Sequence, residues 1–580
     1  MLSTARLDAP RLGPSPAALL AAVALWAAVA GAFVAAPLTA QDEPEEDGGL
    51  IIEELDVNLV NVEVFVTDRK GDRITGLTKD DFELLVDKKP VQISNFFAVT
   101  GGSVQAELPE MMERPGVEPE APTPNREVAP LPDDQRLYLI VYVDNFNLRP
   151  FNRNRVIRAA RGFLRSRLRP GDEVMLVSYD RSLHIRHPFT KDPELVASAL
   201  YELEDMTGHR IHADNERQDL MDMIYNDARD LYDVRGRVTQ YAESIFNDMS
   251  FTLDALRDQV ETLSGLPGRK AVLYVSDGLS MRAGEDAFHA LNDKFTDSSV
   301  LLDSHRYDMS RRFQSLIAQA NASRVTFYTV DAGGLRTYSY MDASNQNANG
   351  GAQIDQIHFS NMQSPLLFLA DETGGFAIIN TNNFSPGLDK MADDFGTYYS
   401  LGFHSGTTEQ GRYHKIKVRL KDKDKSIRIR HREGFRDKPV GTRMAESALA
   451  ALHFGYQKNP LGVSLDAGKP TRQDRKHYLV PFVVRIPIGN LTFLPREGIQ
   501  QGRVRLFIAA KDNEGGLAEV QEVPVPIEIP DKDFERARNQ DYHYQLTLLM
   551  REGRQVVAVG VRDEVGSTIG FATRSVTLSN

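Results

Sequence analysis

Two His-x-x-His pairs, His184/His187 and His209/His212, are the side chains whose type and spacing first invite a chemical reading. On a helix such a pair shares one face and could ligate a metal; on a strand it points to opposite faces and cannot. No glutamate completes a zinc-protease motif at either pair, and nucleophile-elbow, P-loop and dinucleotide glycine signatures are absent. Cysteine is absent as well, which removes disulfides, thiolate metal sites and thiol nucleophiles. Asn321, Asn383 and Asn490 head triplets that match glycan acceptors, a motif short enough to recur by chance. With 68 basic against 81 acidic residues the chain carries a net charge of −13, which argues against non-specific nucleic-acid binding.

The elements that must position any site follow from hydrophobic period. From Leu55 to Phe97 short β-rich runs alternate around the turn Asp68-Arg69-Lys70-Gly71-Asp72, predicting a small all-β domain over 55–100. Residues 101–135 are rich in proline and read as a linker. Leu137–Val143 is a continuous apolar run, the pattern of a strand buried on both faces of a parallel sheet. Further strands at Glu173–Tyr179, Ala271–Ser276, Val325–Val330 and Phe376–Ile379 alternate with helical segments at Val156–Leu168, Glu194–Leu203, Arg311–Ala322 and Pro365–Thr373. That alternation specifies a doubly wound α/β domain, Rossmann-like in layout, within 136–436.

Between Gly236 and Gly265 no glycine or proline interrupts an apolar stripe from Val238 to Leu263. The spacing predicts a long helix whose first half, with Leu220–Leu231 before it, projects as a helical insertion over 209–250. Its surface is a candidate partner face over Asp219–Met249, while Leu253 onward packs on the body. Residues 437–459 read as a connecting helix or linker, and 460–580 as strands of an immunoglobulin-like β-sandwich.

The N-terminus carries Arg6 and Arg11, an apolar run from Ala17 to Ala36, and small residues up to Ala40. This reads as a signal peptide, 1–40, followed by an acidic tether, 41–54; an uncleaved anchor is the competing reading. Removing Arg6, Arg11 and Asp8 leaves the mature chain slightly more acidic. The one tryptophan, Trp26, lies inside the signal, so processed protein is expected to show no tryptophan emission. The expected location is periplasmic, secreted or at the cell surface, with no anchor through a lipidated cysteine and no span after cleavage.

Several segments together resemble a known family, the von Willebrand factor A-related domain proteins of exported bacterial type. They are VNVEVFVTDRKGDRITGLTKDDFELLVDKKPVQISNFFAV (61–99), LPGRKAVLYVSDGL (266–279), VTFYTVDAGGL (325–335) and LADETGGFAIINTNNFSPGLDKMADDFGTYYSLGF (369–403). The closing stretch 415–435 fits too, so the resemblance spans about 50–436. It implies an A-type domain whose strand tips could hold a metal-ion-dependent adhesion site, normally D-x-S-x-S with a later Thr and Asp. Asp144 matches the leading Asp, Thr207 the loop Thr and Asp277 the later Asp, whereas Phe146 and Leu148 stand where the two serines belong. The resemblance therefore implies a degenerate site for Mg²⁺ or another divalent cation at Asp144, Thr207 and Asp277.

The function expected from these residues is that of an exported, non-enzymatic interaction or adhesion protein with a protein partner and no nucleic acid. The alternatives are a metal-dependent hydrolase using Asp144, Asp277 and His209, or a structural envelope component without a discrete site.

Overall fold

The computed structural model describes residues 59–106, 136–336, 351–405, 411–422, 426–455 and 458–579. The expected signal peptide, the acidic tether and most of the Pro-rich segment lie outside them. The chain divides into two compact units, Met1–Leu55 and Asp56–Asn580, and every described residue belongs to the second.

Five strands open it: β1 (Leu59–Thr67), β2 (Phe82–Val86), β3 (Lys89–Val91), β4 (Asn95–Thr100) and β5 (Ser103–Ala106). Val60, Val62, Val64 and Val66 on β1 are all buried, as their alternation predicts. Asp87 and Lys88 join β2 to β3 at φ of 48° and 69°, the left-handed pair that a two-residue hairpin requires.

An α/β domain follows. Its strands are β6 (Leu137–Asp144), β7 (Glu173–Tyr179), β8 (Leu183–Thr190), β9 (Arg269–Ser276), β10 (Val325–Asp331) and β11 (Ala377–Ile378). They lie in the order β11-β10-β9-β6-β7-β8, with every neighbour parallel except the antiparallel β8. Every residue of β6 and β9 is buried, because helices cover both faces of the sheet. On one face α1 (Pro150–Arg167), α2 (Pro193–Glu202) and a later helix, Ser385–Gly396, set Val156, Phe163, Leu200 and Met391 against the strands. On the other face lies α4 (Leu231–Ser264), preceded by α3 (Arg210–Asp222). After α5 (Glu285–Phe295) and α6 (Ser299–Ser304) come α7 (Ser310–Ala322) and α8 (Gly351–Glu372). There Leu256, Val260, Phe313, Leu316 and Leu369 form the second core. The helix Ser385–Gly396, α9, completes the series.

The insertion departs from its expected projection. Val234, Val238, Tyr241 and Ala242 in the first half of α4 are buried against Ala287, Phe288 and Leu291 of α5 and Val300 of α6. The stripe from residue 220 onward is therefore core, not a free arm. A helix that buries one apolar stripe needs a facing element, and α5–α6 supply it.

The expected independence of 55–100 is also corrected. β1 pairs with β12 (Tyr398–His404), which pairs in turn with β4. β2 pairs with β13 (Tyr413–Leu420), while β14 (Arg428–Arg430) covers the other edge of β1 and β15 (Gly434–Arg436) pairs with β13. Val62 faces Leu401 and Leu84 faces Val418 in register. Residues 59–106 and 398–436 thus build one two-sheet module around a shared core, and the α/β domain is inserted between its halves. Alone, the first half would leave its ladder groups unpaired.

α10 (Val440–Phe454) fills the segment expected as a connecting helix or linker. One side of it packs Met444, Ala448 and Ala451 on Phe507, Ala558 and Phe571 of the C-terminal sheets, while Ala450 joins the core beneath α4. Residues 464–578 form two sheets closed over one core that includes Val480, Phe482, Leu506 and Val559. The junction of α4 with α10 is tight: a Cβ added at Gly265 would lie 1.9 Å from the Glu446 carbonyl oxygen. Gly265→Ala should therefore cost about 1–3 kcal/mol in denaturant unfolding, as overpacking against backbone does.

Candidate functional site

The strand order reverses between β6 and β9, and a crevice opens there beyond the strand C-termini. Three loops meet at it. The 145–149 loop follows β6, Asp277-Gly278 follows β9, and residues 203–209 lead into α3. The Asp277 amide donates to the Asn147 carbonyl at 3.1 Å, which joins the first two loops. Gly278 has φ of 120°, and a Cβ there would lie 2.8 Å from the Met362 carbonyl, so the tip needs glycine.

Asp144 is fully buried. Its carboxylate accepts from the Asn147 amide at 3.2 Å, from Asn147 Nδ2 at 2.9 Å and from the Tyr274 hydroxyl. Burial raises its pKa to about 6 against the pull of those hydrogen bonds. The Tyr274 hydroxyl is pushed well above its ordinary value by burial and by the Asp144 charge. Asp277, also buried, accepts from the Arg149 amide at 2.8 Å and from Asn152 Nδ2 at 3.0 Å, and burial raises its pKa. Thr207 arrives by its backbone: its carbonyl accepts from Asn145 Nδ2 at 2.8 Å, while its side chain is exposed. Asn145 Oδ1 in turn accepts from Nη1 of the fully buried Arg153 at 2.5 Å.

The three expected site residues therefore lie on loops tied together by hydrogen bonds, but their donor chemistry does not fit a magnesium ion. Mg²⁺ wants six oxygens in near-octahedral order. Leu148 is part of the α1-side core and Phe146 lies against Tyr179 and His209, so neither supplies one. Both carboxylates already face N–H and O–H donors. Among the described residues no three His, Asp or Glu side chains are grouped to hold a metal.

The His pairs do not converge either. His184 and His187 sit on β8, where His184 Nε2 lies 2.8 Å from Ser182 Oγ and His187 Nδ1 lies 2.7 Å from the Pro188 carbonyl. His209 precedes α3, so only His212 is in the helix, and His209 Nε2 lies 3.0 Å from Asp180 instead. Asn321 is fully buried and donates to the Glu372 carbonyl at 3.1 Å, which excludes it as a glycan acceptor in the folded chain.

Sequence reasoning missed Asp331 and Arg336. Asp331 ends β10, is fully buried, and accepts from Arg336 Nη2 at 2.7 Å and Gln363 Nε2 at 2.7 Å. Arg336 Nη2 also donates to the Asp277 carbonyl at 2.7 Å, bridging two strand tips. Asp331 was findable, since it closes an apolar run just as Asp144 does. Also missed was the anchoring of α3 beside the crevice. Asp214 receives Arg149 at 2.6 Å and Arg210 at 3.0 Å, and Asp286 receives Arg217 at 2.5 Å and His358 at 3.1 Å. Burial alone would raise Asp286, but those two partners hold it well below the usual carboxylate range. Burial brings His358 down to about 4. Next to the strand-tip loops along the chain are two exposed apolar side chains, Phe151 in the first turn of α1 at 72% and Leu335 just before Arg336 at 62% exposure.

No protein-family model matches the chain, and no curated protein does. Some solved structures are similar to it. An aerotolerance-related membrane protein from Bacteroides fragilis NCTC 9343, carrying multiple mutations to serines, is 9% identical with a TM-score of 0.24, covering 45% of this chain and 98% of that one. The vWF domain of the type V pili tip protein Mfa5 from Porphyromonas gingivalis is 15% identical with a TM-score of 0.23, covering 44% and 94%. Manganese-loaded TRAP protein from Plasmodium vivax is 10% identical with a TM-score of 0.20, covering 52% and 95%. At these identities and scores, no partner, metal or activity passes from those proteins to this chain.

Proposed function

We propose that the chain is an exported, non-enzymatic interaction protein whose A-type α/β domain offers its strand-tip rim to a protein partner without a bridging metal. One observation carries the reading: the buried aspartates ending the central strands are answered by the chain's own donors. Asp144 is held by Asn147 and Tyr274, Asp277 by Asn152 and the Arg149 amide, and Asp331 by Arg336 and Gln363. Those donors take the part a cation plays in an adhesion site, fixing the floor while Phe151 and Leu335 remain exposed for contact. The hydrolase alternative needs His209 beside Asp144 and Asp277, and His209 is engaged with Asp180.

Capture of a partner from native envelope extract should persist in EDTA. It should fall at least about tenfold when Phe151 and Leu335 are both replaced by Asp, as loss of apolar anchors does. Tyr232→Asp, at a residue 87% exposed on the insertion, should leave capture unchanged. Loss of capture in EDTA, or capture indifferent to the rim variants, would overturn the reading.

A further inference from the structure

At the opposite end of the sheet, beneath the strand N-termini, lies a cavity of ≈ 190 Å³. That is far above the roughly 15 Å³ one water needs. Its walls come from three parts of the chain: β1 of the two-sheet module, the start of β9 with the end of α7, and the stretch from β15 into α10. Among the described residues that line it, six are cations, Lys270, Arg324, Arg432, Arg436, Lys438 and Arg443, and one, Glu446, is a carboxylate. An adjoining recess of ≈ 290 Å³ shares Arg436, Lys438 and Glu446.

The bland account is that these cations serve structural partners, and part of the charge is accounted for in that way. Arg324 pairs with Glu63, and Lys438 pairs with Glu446 at 2.7 Å. Arg432 donates to the carbonyls of Asn321 and Asn61, both at 2.7 Å, which answers the C-terminal end of α7. Those partners do not answer every buried donor in the lining: Arg432 Nε is buried without a partner. Lys270, 4% exposed at the floor, donates to one carbonyl, that of Leu266 at 2.7 Å. A buried ammonium with so little compensation is costly. Burial, with Arg324 and Lys438 nearby, depresses its pKa well below the ordinary lysine value.

We propose that this pocket binds a tetrahedral oxyanion, phosphate or sulfate, at the junction of the α/β domain, the two-sheet module and α10. The donors come from strand, loop and helix on different sides of the cavity. A planar carboxylate satisfies donors near one plane, whereas a tetrahedral dianion accepts from several directions. Binding there would tie the inserted domain to both flanking β structures. It is independent of the strand-tip reading, because the two sites lie at opposite ends of the strands.

The test titrates the full chain with sodium phosphate by calorimetry, with chloride at matched ionic strength as control, and follows Tm against phosphate concentration. One saturable site per chain is expected, with Tm rising with the logarithm of phosphate concentration. Arg436→Ala, an exposed position at the mouth, should weaken phosphate at least about tenfold by removing a charge-assisted donor. Lys270→Met should abolish the phosphate increment in Tm, and if that variant does not fold, Arg436→Ala decides alone. No saturable phosphate heat, unchanged affinity in Arg436→Ala, or succinate binding as tightly as phosphate would each overturn the proposal.

Discussion

Asp394→Ala should destabilise the full chain by about 3–5 kcal/mol, the cost of leaving buried cations without their counter-charge. Asp394 on α9 is fully buried, and both its oxygens accept from Nη2 of Arg430 on β14, at 2.7 and 2.9 Å. It also pairs with Arg73, from the turn after β1, and accepts from the Tyr328 hydroxyl of β10 at 3.0 Å. One carboxylate therefore joins both halves of the two-sheet module to the domain inserted between them. Removing it strands two arginines whose side chains are only 13% and 21% exposed. Urea unfolding followed by circular dichroism measures the loss. A change under about 1 kcal/mol would mean the arginines find other acceptors, as exposed pairs do.

Asp144→Ala should cost about 2–5 kcal/mol, because the Tyr274 hydroxyl and Asn147 Nδ2 both lose their buried acceptor. Asp144→Asn tests the charge separately. The folded carboxyl titrates near 6, above its unfolded value of 3.8. A raised acid pKa means that the folded state binds the proton more tightly. The contribution is thus fully present below pH 3.8 and is lost as pH rises through 6. Asparagine does not titrate, so the Tm of wild type minus that of Asp144→Asn should fall steadily between those limits. Scanning calorimetry across the range reads it, and a flat difference would show that Asp144 keeps one protonation state. A divalent cation at this carboxylate would instead hold it ionised, so the same profile bears on the metal-free reading of the strand tips.

Much of the architecture was legible because its signals are local. The apolar run Leu137–Val143 marked a strand buried on both faces, and the segments around Val156–Leu168 and Arg311–Ala322 are helices in the fold. The loops carrying Asp144, Thr207 and Asp277 are tied together through Asn145 and Asn147. The reach of α4 was legible as well, but not what its first half faces, since the stripe from Val234 to Ala242 has the same period whether it meets solvent-side partners or α5. The small β domain was misread for a similar reason. Alternation along β1 tells which residues point inward, not that the neighbouring strand is β12, far downstream.

By itself the sequence determined the element types, the double burial of the central strands and the absence of thiol chemistry. Each follows from residue type or from a period of a few residues. The tertiary structure alone decided that the α/β domain is threaded between two halves of one β module. It also decided that the strand-tip carboxylates meet asparagine, tyrosine and arginine donors, and that six cations converge beneath the sheet. Those facts depend on pairings between residues distant in the chain. Spacing carries no information about such pairs, because a hydrogen bond or a charge acts on whatever the fold brings within a few ångströms.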